Sequence, residues 1–210
     1  MNIHEYQAKQ ILQKYGIGIP NGSIAYTPQE AKRAAQKVSP HGPWVMKAQI
    51  QSGARADGHF LEKKAGRGGG IRLIKSRTDI AIEAEKMIGS TLVTKQTDSK
   101  GKLVSKVYIE EFCKCERTFY ASLIINRATA SIALLIASST TNILELATQE
   151  PEKILYTNLG LNDKITEEQL NKIMAFLNLN ANCRNNLQAF INDMHTAFLN
   201  LDAIMIEINP

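Results

Sequence analysis

No window of this 210-residue chain comes near the roughly 20 uninterrupted apolar positions that a membrane-spanning helix requires, so no membrane partner is expected. The opening residues Met1-Asn2-Ile3-His4-Glu5-Tyr6 supply neither a basic nor an apolar leader region, and nothing in them directs the chain to secretion. The expected location is cytoplasmic, of bacterial type; a mitochondrial matrix protein trimmed of its presequence would look the same. Cysteine is scarce: Cys113, Cys115 and Cys183 are an odd number without four-ligand zinc spacing, and they read as ordinary reduced thiols. His4, His41, His59 and His195 show no ligand or triad spacing, which assigns them to surface or loop positions without a catalytic role. The Walker pattern is missing, as is a Rossmann fingerprint in a strand–helix setting. Net charge is +5 with a pI near 9.1, yet the basic residues are dispersed and no recognition module is present. Nucleic acid is therefore not an expected partner, and a phosphate-bearing small ligand accounts for the excess equally well.

What is present reads as an α+β chain. Residues 3–15 place Ile3, Tyr6, Ala8, Ile11, Leu12 and Tyr15 near one side of a helix, with Asn2 as cap and Gly16 as stop. A short extended stretch at 23–26 precedes Thr27-Pro28-Gln29-Glu30, a capping box with proline at the first helical position, so a helix runs to about Val38. Residues 43–50 have strand composition, and 51–70 lose all periodicity while carrying Gly53, Gly58, Gly66, Gly68, Gly69 and Gly70. Strands at 71–74 and 92–95 flank a helix at 78–88, giving the order β-α-β-β-α-β of a small α+β lobe. Three β-rich runs follow from 104 to 136 with a hairpin tip at Arg127-Ala128-Thr129; then come a capped helix from Thr166, a longer helix over 184–199 and a closing strand at 203–210. That last strand reads so strongly as core that a partner element is expected beyond it.

Lys47 sits in an otherwise apolar strand, where an ammonium needs an anionic partner. A bound phosphate is one, and an edge strand that lets the lysine reach solvent is the other reading. The glycine-rich loop after it lets backbone N–H groups approach phosphate oxygens, with Arg55, Lys63, Lys64 and Arg67 as counter-charge; a plain mobile loop has the same composition. Glu110-Glu111 at a strand end either accept a ribose hydroxyl or exocyclic amine or are simply solvated. Glu207 and Asn209 share one strand face, and their oxygens suit Mg²⁺, a hard cation that leaves its other positions to water and phosphate.

Three stretches in order, Met1-Asn2-Ile3-His4-Glu5-Tyr6-Gln7-Ala8-Lys9, Gly42-Pro43-Trp44-Val45-Met46-Lys47-Ala48-Gln49 and Ile206-Glu207-Ile208-Asn209-Pro210, closely resemble the β subunit of succinate–CoA ligase. Leu92-Val93-Thr94-Lys95-Gln96-Thr97 lies where that family has a similar strand. The resemblance implies an ATP-grasp fold of two α+β lobes, residues 21–105 forming the smaller lobe with loop 51–70, and 1–20 with 106–210 the larger. It implies that Lys47 meets nucleotide phosphates and that Gly53, Ala54, Arg55 and Ala56 form the phosphate-covering loop. Glu110 and Cys113 would line the adenine-and-ribose hinge, Thr118 or nearby Glu116 would also face the nucleotide, and Asn209 would bind Mg²⁺. Pro20 falls where members differ by nucleotide preference and tilts the expectation toward ATP/ADP over GTP/GDP. The phosphate-relaying histidine belongs to a partner α subunit in that family, so no catalytic nucleophile is expected here. The chain is expected to stop before the C-terminal CoA-ligase domain and before the second metal carboxylate, and the fragment by itself to be inactive. Departures are Ala54 and Ala56 for two glycines of a Gly-Gly-Arg-Gly-like loop, and Thr140-Thr141-Asn142 for a Glu-Gly-Gly. Ligation of another acid such as malate, or a non-catalytic nucleotide-binding module, are the alternatives.

Overall fold

The computed structural model describes residues 3–138, 143–161 and 164–209. The expected cap Asn2, the segment Thr140-Thr141-Asn142 and Pro210 lie outside the described residues. The chain divides into two compact units, Met1–Ile11 with Gly18–Lys114, and Leu12–Ile17 with Cys115–Pro210.

Helix α1 (Glu5–Lys14), of which residues 5–11 belong to the first unit, begins where the His4 carbonyl accepts from the N–H groups of Gln7 and Ala8, and the Gln7 side-chain oxygen accepts from the His4 N–H. Strand β1 (Gly22–Ala25) leads into α2 (Pro28–Val38), whose Thr27 hydroxyl accepts from Glu30 N–H while the Glu30 carboxylate accepts from Tyr26 N–H. Then follow β2 (Trp44–Ala48), β3 (His59–Phe60), β4 (Ile71–Ile74), α3 (Asp79–Met87), β5 (Thr91–Val93), β6 (Lys102–Leu103) and β7 (Val107–Glu111). The main sheet is antiparallel in the order β1-β7-β2-β4. One sheet face buries Trp44, Met46, Ala48, Val107 and Ile109 with Ala31 and Ala35 of α2 and with Ile80, Ala84 and Met87 of the helix at Asp79–Met87. Each fully buried large side chain there contributes about 1.5–3 kcal/mol. Trp44 adds direction, its indole N–H donating to the carbonyls of Ala35 and Ser39.

Two expectations change here. The stretch 51–70 contains β3 and a turn of 3₁₀ helix at Lys63–Ala65, and β3, β5 and β6 form a separate three-stranded sheet. Two residues of β3 are too few to show a period, and what fixes them is tertiary, the burial of Phe60 beside Leu92. The unit boundary also falls after Lys114 instead of after Ser105, because β7 is the central strand between β1 and β2 and cannot be separated from either.

The second unit holds β8 (Tyr120–Asn126), β9 (Ser131–Ala137), α4 (Ile143–Gln149), β10 (Ile154–Leu159), α5 (Glu167–Phe176), α6 (Arg184–Asn200) and β11 (Met205–Ile208). Its sheet is antiparallel, ordered β10-β9-β8-β11, and packs against α5 and α6. Leu123, Leu134, Ile136, Leu170, Ile173, Ile191 and Met194 are buried in it. The expected hairpin tip at residues 127–129 and the capping box of Thr166 with Gln169 both form. Strand β11 pairs only with β8 among the described residues, and Met205 is 54% exposed. As the edge of this sheet it keeps one row of backbone groups and much side-chain surface open. His195, expected at the surface, is instead buried in α6.

Gly22 gives a testable constraint. A Cβ at this position would lie 1.9 Å from the Tyr108 hydroxyl, so Gly22→Ala should cost about 1–3 kcal/mol in chemical denaturation. In a Tyr108→Ala background the same change should cost almost nothing, and equal costs in the two backgrounds would refute the steric account.

Candidate functional site

Strand alternation sends Trp44, Met46 and Ala48 of β2 into the core and turns Lys47 to the opposite face. The register sets Tyr108 opposite Lys47 and Glu110 opposite Val45, so β7 delivers a carboxylate beside the ammonium. The first turns of α1 lie on this face, anchored by the buried Gln49 amide oxygen, which accepts from Tyr6 N–H at 3.3 Å. Glu5 and Lys9, one turn apart, point the same way.

The result is a five-membered ionic cluster. Lys47 Nζ lies 3.0 Å from Glu5 Oε1 and 2.6 Å from Glu110 Oε2; Lys9 pairs with Glu110 and stands 3.2 Å from Glu5 Oε1. The Arg55 guanidinium reaches back from the glycine-rich loop, donating to Glu5 Oε2 at 2.5 Å and to the Ala48 carbonyl at 2.8 Å. Three cations thus share two carboxylates, and every member is less than one-fifth exposed. Burial alone would push the Glu5 carboxyl up, but Arg55, Lys47 and Lys9 together hold it well below the usual carboxylate range. Burial likewise works against the Lys47 ammonium, and Glu5 and Glu110 outweigh it and raise its pKa. Burial, then the same two carboxylates, push the Tyr108 hydroxyl up to about 12.

The anionic partner that Lys47 needs is therefore supplied by the chain itself, not by an edge position open to water: β2 is an interior strand. Glu110, 4% exposed, is not a solvated strand end. The loop after β2 is pinned at several points. Gly53 N–H donates to the Gln96 side chain at 2.8 Å, and the Arg55 carbonyl accepts from Gly70 N–H at 2.7 Å. Ala54 and Ala56 are exposed, and Ala54 adopts φ of +53°, a region that favours glycine. Pro20, half-buried, precedes Asn21, which the Glu111 carboxylate holds through its N–H and side-chain amide.

Cys113 is exposed in residues 112–119, a stretch without a strand, where Glu116 is exposed and Thr118 half-buried. Strand alternation therefore does not put Glu116 and Thr118 on a common side. In the second unit β11 carries Glu207 opposite Ser122, and Asn209 follows just after the strand. Glu207 also meets the Tyr120 hydroxyl, whose pKa is raised by burial and, against a bond to Ser122, by this carboxylate. No group of three or more His, Cys, Asp or Glu side chains could hold a metal among the described residues. A magnesium ion needs few protein oxygens, and Glu207 and Asn209 have the right donor chemistry.

The sequence reading missed Glu5, Lys9 and Gln96. The i, i+4 acid–base pair of α1 was visible, but an amphipathic helix carries such pairs by default. Only the docking of α1 on β2 and β7 turns the pair inward.

The chain matches the ATP-grasp domain family over residues 2–210, and it belongs to that family. At the level of individual proteins it is 40% identical over 211 residues to the succinate–CoA ligase [ADP-forming] subunit β of Acidiphilium cryptum, covering 100% of this chain and 52% of that protein. The corresponding subunit of Rhodospirillum rubrum is 38% identical over 212 residues, with 100% and 53% covered. The chain spans about half the length of these curated relatives. Among solved structures it resembles the dinucleotide-forming acetyl-coenzyme A synthetase 1 of Ca. Korarchaeum cryptofilum, with a TM-score of 0.68, 13% identity and coverage of 99% of this chain and 85% of that one. An ATP citrate lyase from Methanothrix soehngenii gives 0.62 at 14% identity over 99% and 46%. At such identities these two speak for the fold alone. No helix among the described residues is long and apolar enough to cross a membrane.

The cluster makes stability depend on pH with a definite sign. Glu5 is held below its ordinary 4.5 when folded, so its stabilisation is present above that value and lost as pH falls below about 5. Lys47, held above 10.5, loses its contribution only as pH rises through its folded value. Thermal melts should show Glu5→Gln already destabilised at pH 7 by on the order of 3 kcal/mol, with a flatter decline between pH 5 and 3 than the unmodified chain. Parallel declines would show that Glu5 is not the titrating group.

Proposed function

We propose that this chain is the nucleotide-binding part of an acid–CoA ligase of the succinate–CoA ligase type, acting on ADP in preference to GDP. The observation that carries the reading is the cluster of Lys47, Arg55 and Lys9 around only two carboxylates, beside a glycine-rich loop. One positive charge in excess, largely withdrawn from water, is a receptor for an anion. Lys47 and Arg55 bind the phosphates of the nucleotide, and the backbone of Gly53, Ala54 and Ala56 covers them. Glu110 orients Lys47, while Cys113 and Thr118, with Glu116 as the alternative to Thr118, contact the base and ribose. Pro20 belongs to the segment that favours adenine.

Similarity to β subunits over the whole chain supports the reaction class: succinyl-CoA, phosphate and ADP are converted reversibly to succinate, CoA and ATP. In this reading the phosphoryl group travels on a histidine of a partner α subunit, and this chain supplies no nucleophile. Its contribution is orientation and charge neutralisation, the main protein contributions to phosphoryl transfer. Asn209, with Glu207 beside it, would hold Mg²⁺, which when bound neutralises phosphate oxygens. A cytoplasmic location accords with this chemistry. The second reading, a nucleotide-binding module without turnover or a ligase for another acid such as malate, draws on Ala54 at positive φ and on the internal carboxylates that already engage Lys47 and Arg55.

Calorimetric titration with Mg·ADP and Mg·GDP separates these readings from no function at this site. The chain should bind Mg·ADP more tightly than Mg·GDP, and Lys47→Met should weaken binding about ten- to a hundredfold, as expected for loss of one charge-assisted contact. No binding at millimolar nucleotide, or equal binding by Lys47→Met, would overturn the assignment. Binding without nucleotide synthesis, when an α subunit of the succinate–CoA ligase type and succinyl-CoA are added to the full-length protein, would favour the module.

A further inference from the structure

Arg72 lies on β4, next to β2 in the sheet, and takes no part in the ionic cluster around Glu5. Its side chain is 10% exposed and its guanidinium is almost fully used. Nε donates to the Gly69 carbonyl at 3.1 Å, and Nη2 to those of Ala65 and Gly68 at 2.7 and 3.1 Å. Nη1 donates to Glu83 of α3 at 2.5 Å, and the Phe60 ring lies 5.3 Å from the guanidinium carbon. Glu83 is in turn held by Lys86 at 2.6 Å. Three carbonyls within five residues thus converge on one planar cation, an arrangement that needs the fork of an arginine.

The arm so gathered is the one against which Arg55 rests. Gly70 donates its N–H to the Arg55 carbonyl at 2.7 Å and accepts from Ala48 N–H at 2.7 Å. A Cβ on Gly69 would lie 1.9 Å from the Ala56 carbonyl, so the two arms are in backbone contact. Gly66, Gly68, Gly69 and Gly70 have more conformational freedom than any other residue type, and an unanchored arm would have to be ordered when ligand arrives.

We propose that Arg72 is a positioning residue: by collecting the carbonyls of Ala65, Gly68 and Gly69 it fixes the arm 65–70, and through it Arg55, whose guanidinium meets the nucleotide phosphates. This rests on the nucleotide reading given above. A role confined to joining β4 to α3 through Glu83 makes a different prediction, because Arg72→Lys keeps the charge for Glu83 and loses the fork, whereas Glu83→Gln does the reverse.

Two measurements on the 210-residue chain decide it. In calorimetry with Mg·ADP, Arg72→Lys should weaken binding about tenfold and Glu83→Gln less than twofold, and Arg72→Lys should add almost nothing in an Arg55→Met background. In amide hydrogen exchange without nucleotide, Arg72→Lys should speed exchange of the Gly70 N–H at least tenfold relative to the amides of α3. Equal losses from Arg72→Lys and Glu83→Gln, a full additional loss on top of Arg55→Met, or unchanged Gly70 exchange would each overturn the proposal. If the unmodified chain binds no nucleotide while Gly70 exchange accelerates in Arg72→Lys, the nucleotide reading fails and the fixing of Arg55 by Arg72 stands.

Discussion

The carboxylate of Glu5 is the interaction on which the rest of the first unit's chemistry depends. One oxygen meets Lys47 and Lys9, the other Arg55, so a single side chain joins the opening helix, the central sheet and the glycine-rich loop. Without it, three cations would be left with Glu110 as the one carboxylate of the cluster, and like charges in a poorly solvated space repel strongly. The same carboxylate explains how an ammonium is tolerated in an interior strand. It also explains why the helix docks by its polar side, leaving the apolar sheet face to α2 and α3.

This arrangement has a functional corollary. On the proposed nucleotide reading, a phosphate arriving at Lys47 and Arg55 would compete with carboxylates already in place, so affinity would reflect an exchange of anionic partners. Exchange of this kind favours polyanions, which can engage several cations at once. It discriminates against singly charged metabolites, which the resident carboxylates match.

The sequence made most elements legible because they obey local rules. Thr27 and Thr166 announce their helices through caps that form as expected, and β7, β8 and β9 follow their β-rich runs. The short β3 escaped because two residues have no period. At the candidate site Lys47 stood out as a charge among apolar neighbours. Glu5 and Lys9 did not, since a surface helix uses the same pair for solubility. What selects them is register between β2 and β7 and the placement of α1, both products of contacts more than forty residues apart in sequence.

Ala54 lies in the glycine-rich segment that follows β2. Its methyl group stands exposed, and its backbone occupies a left-handed conformation that costs an ordinary residue about 1 kcal/mol or more. Alanine nevertheless samples fewer shapes than glycine, so the segment that carries it is more rigid as well as more strained. If the segment covers a nucleotide as proposed, it would lose less entropy on binding than a glycine-bearing one. A trade of enthalpic strain for a smaller entropic loss would appear as a shift in the temperature dependence of binding, even where the affinity itself is unchanged.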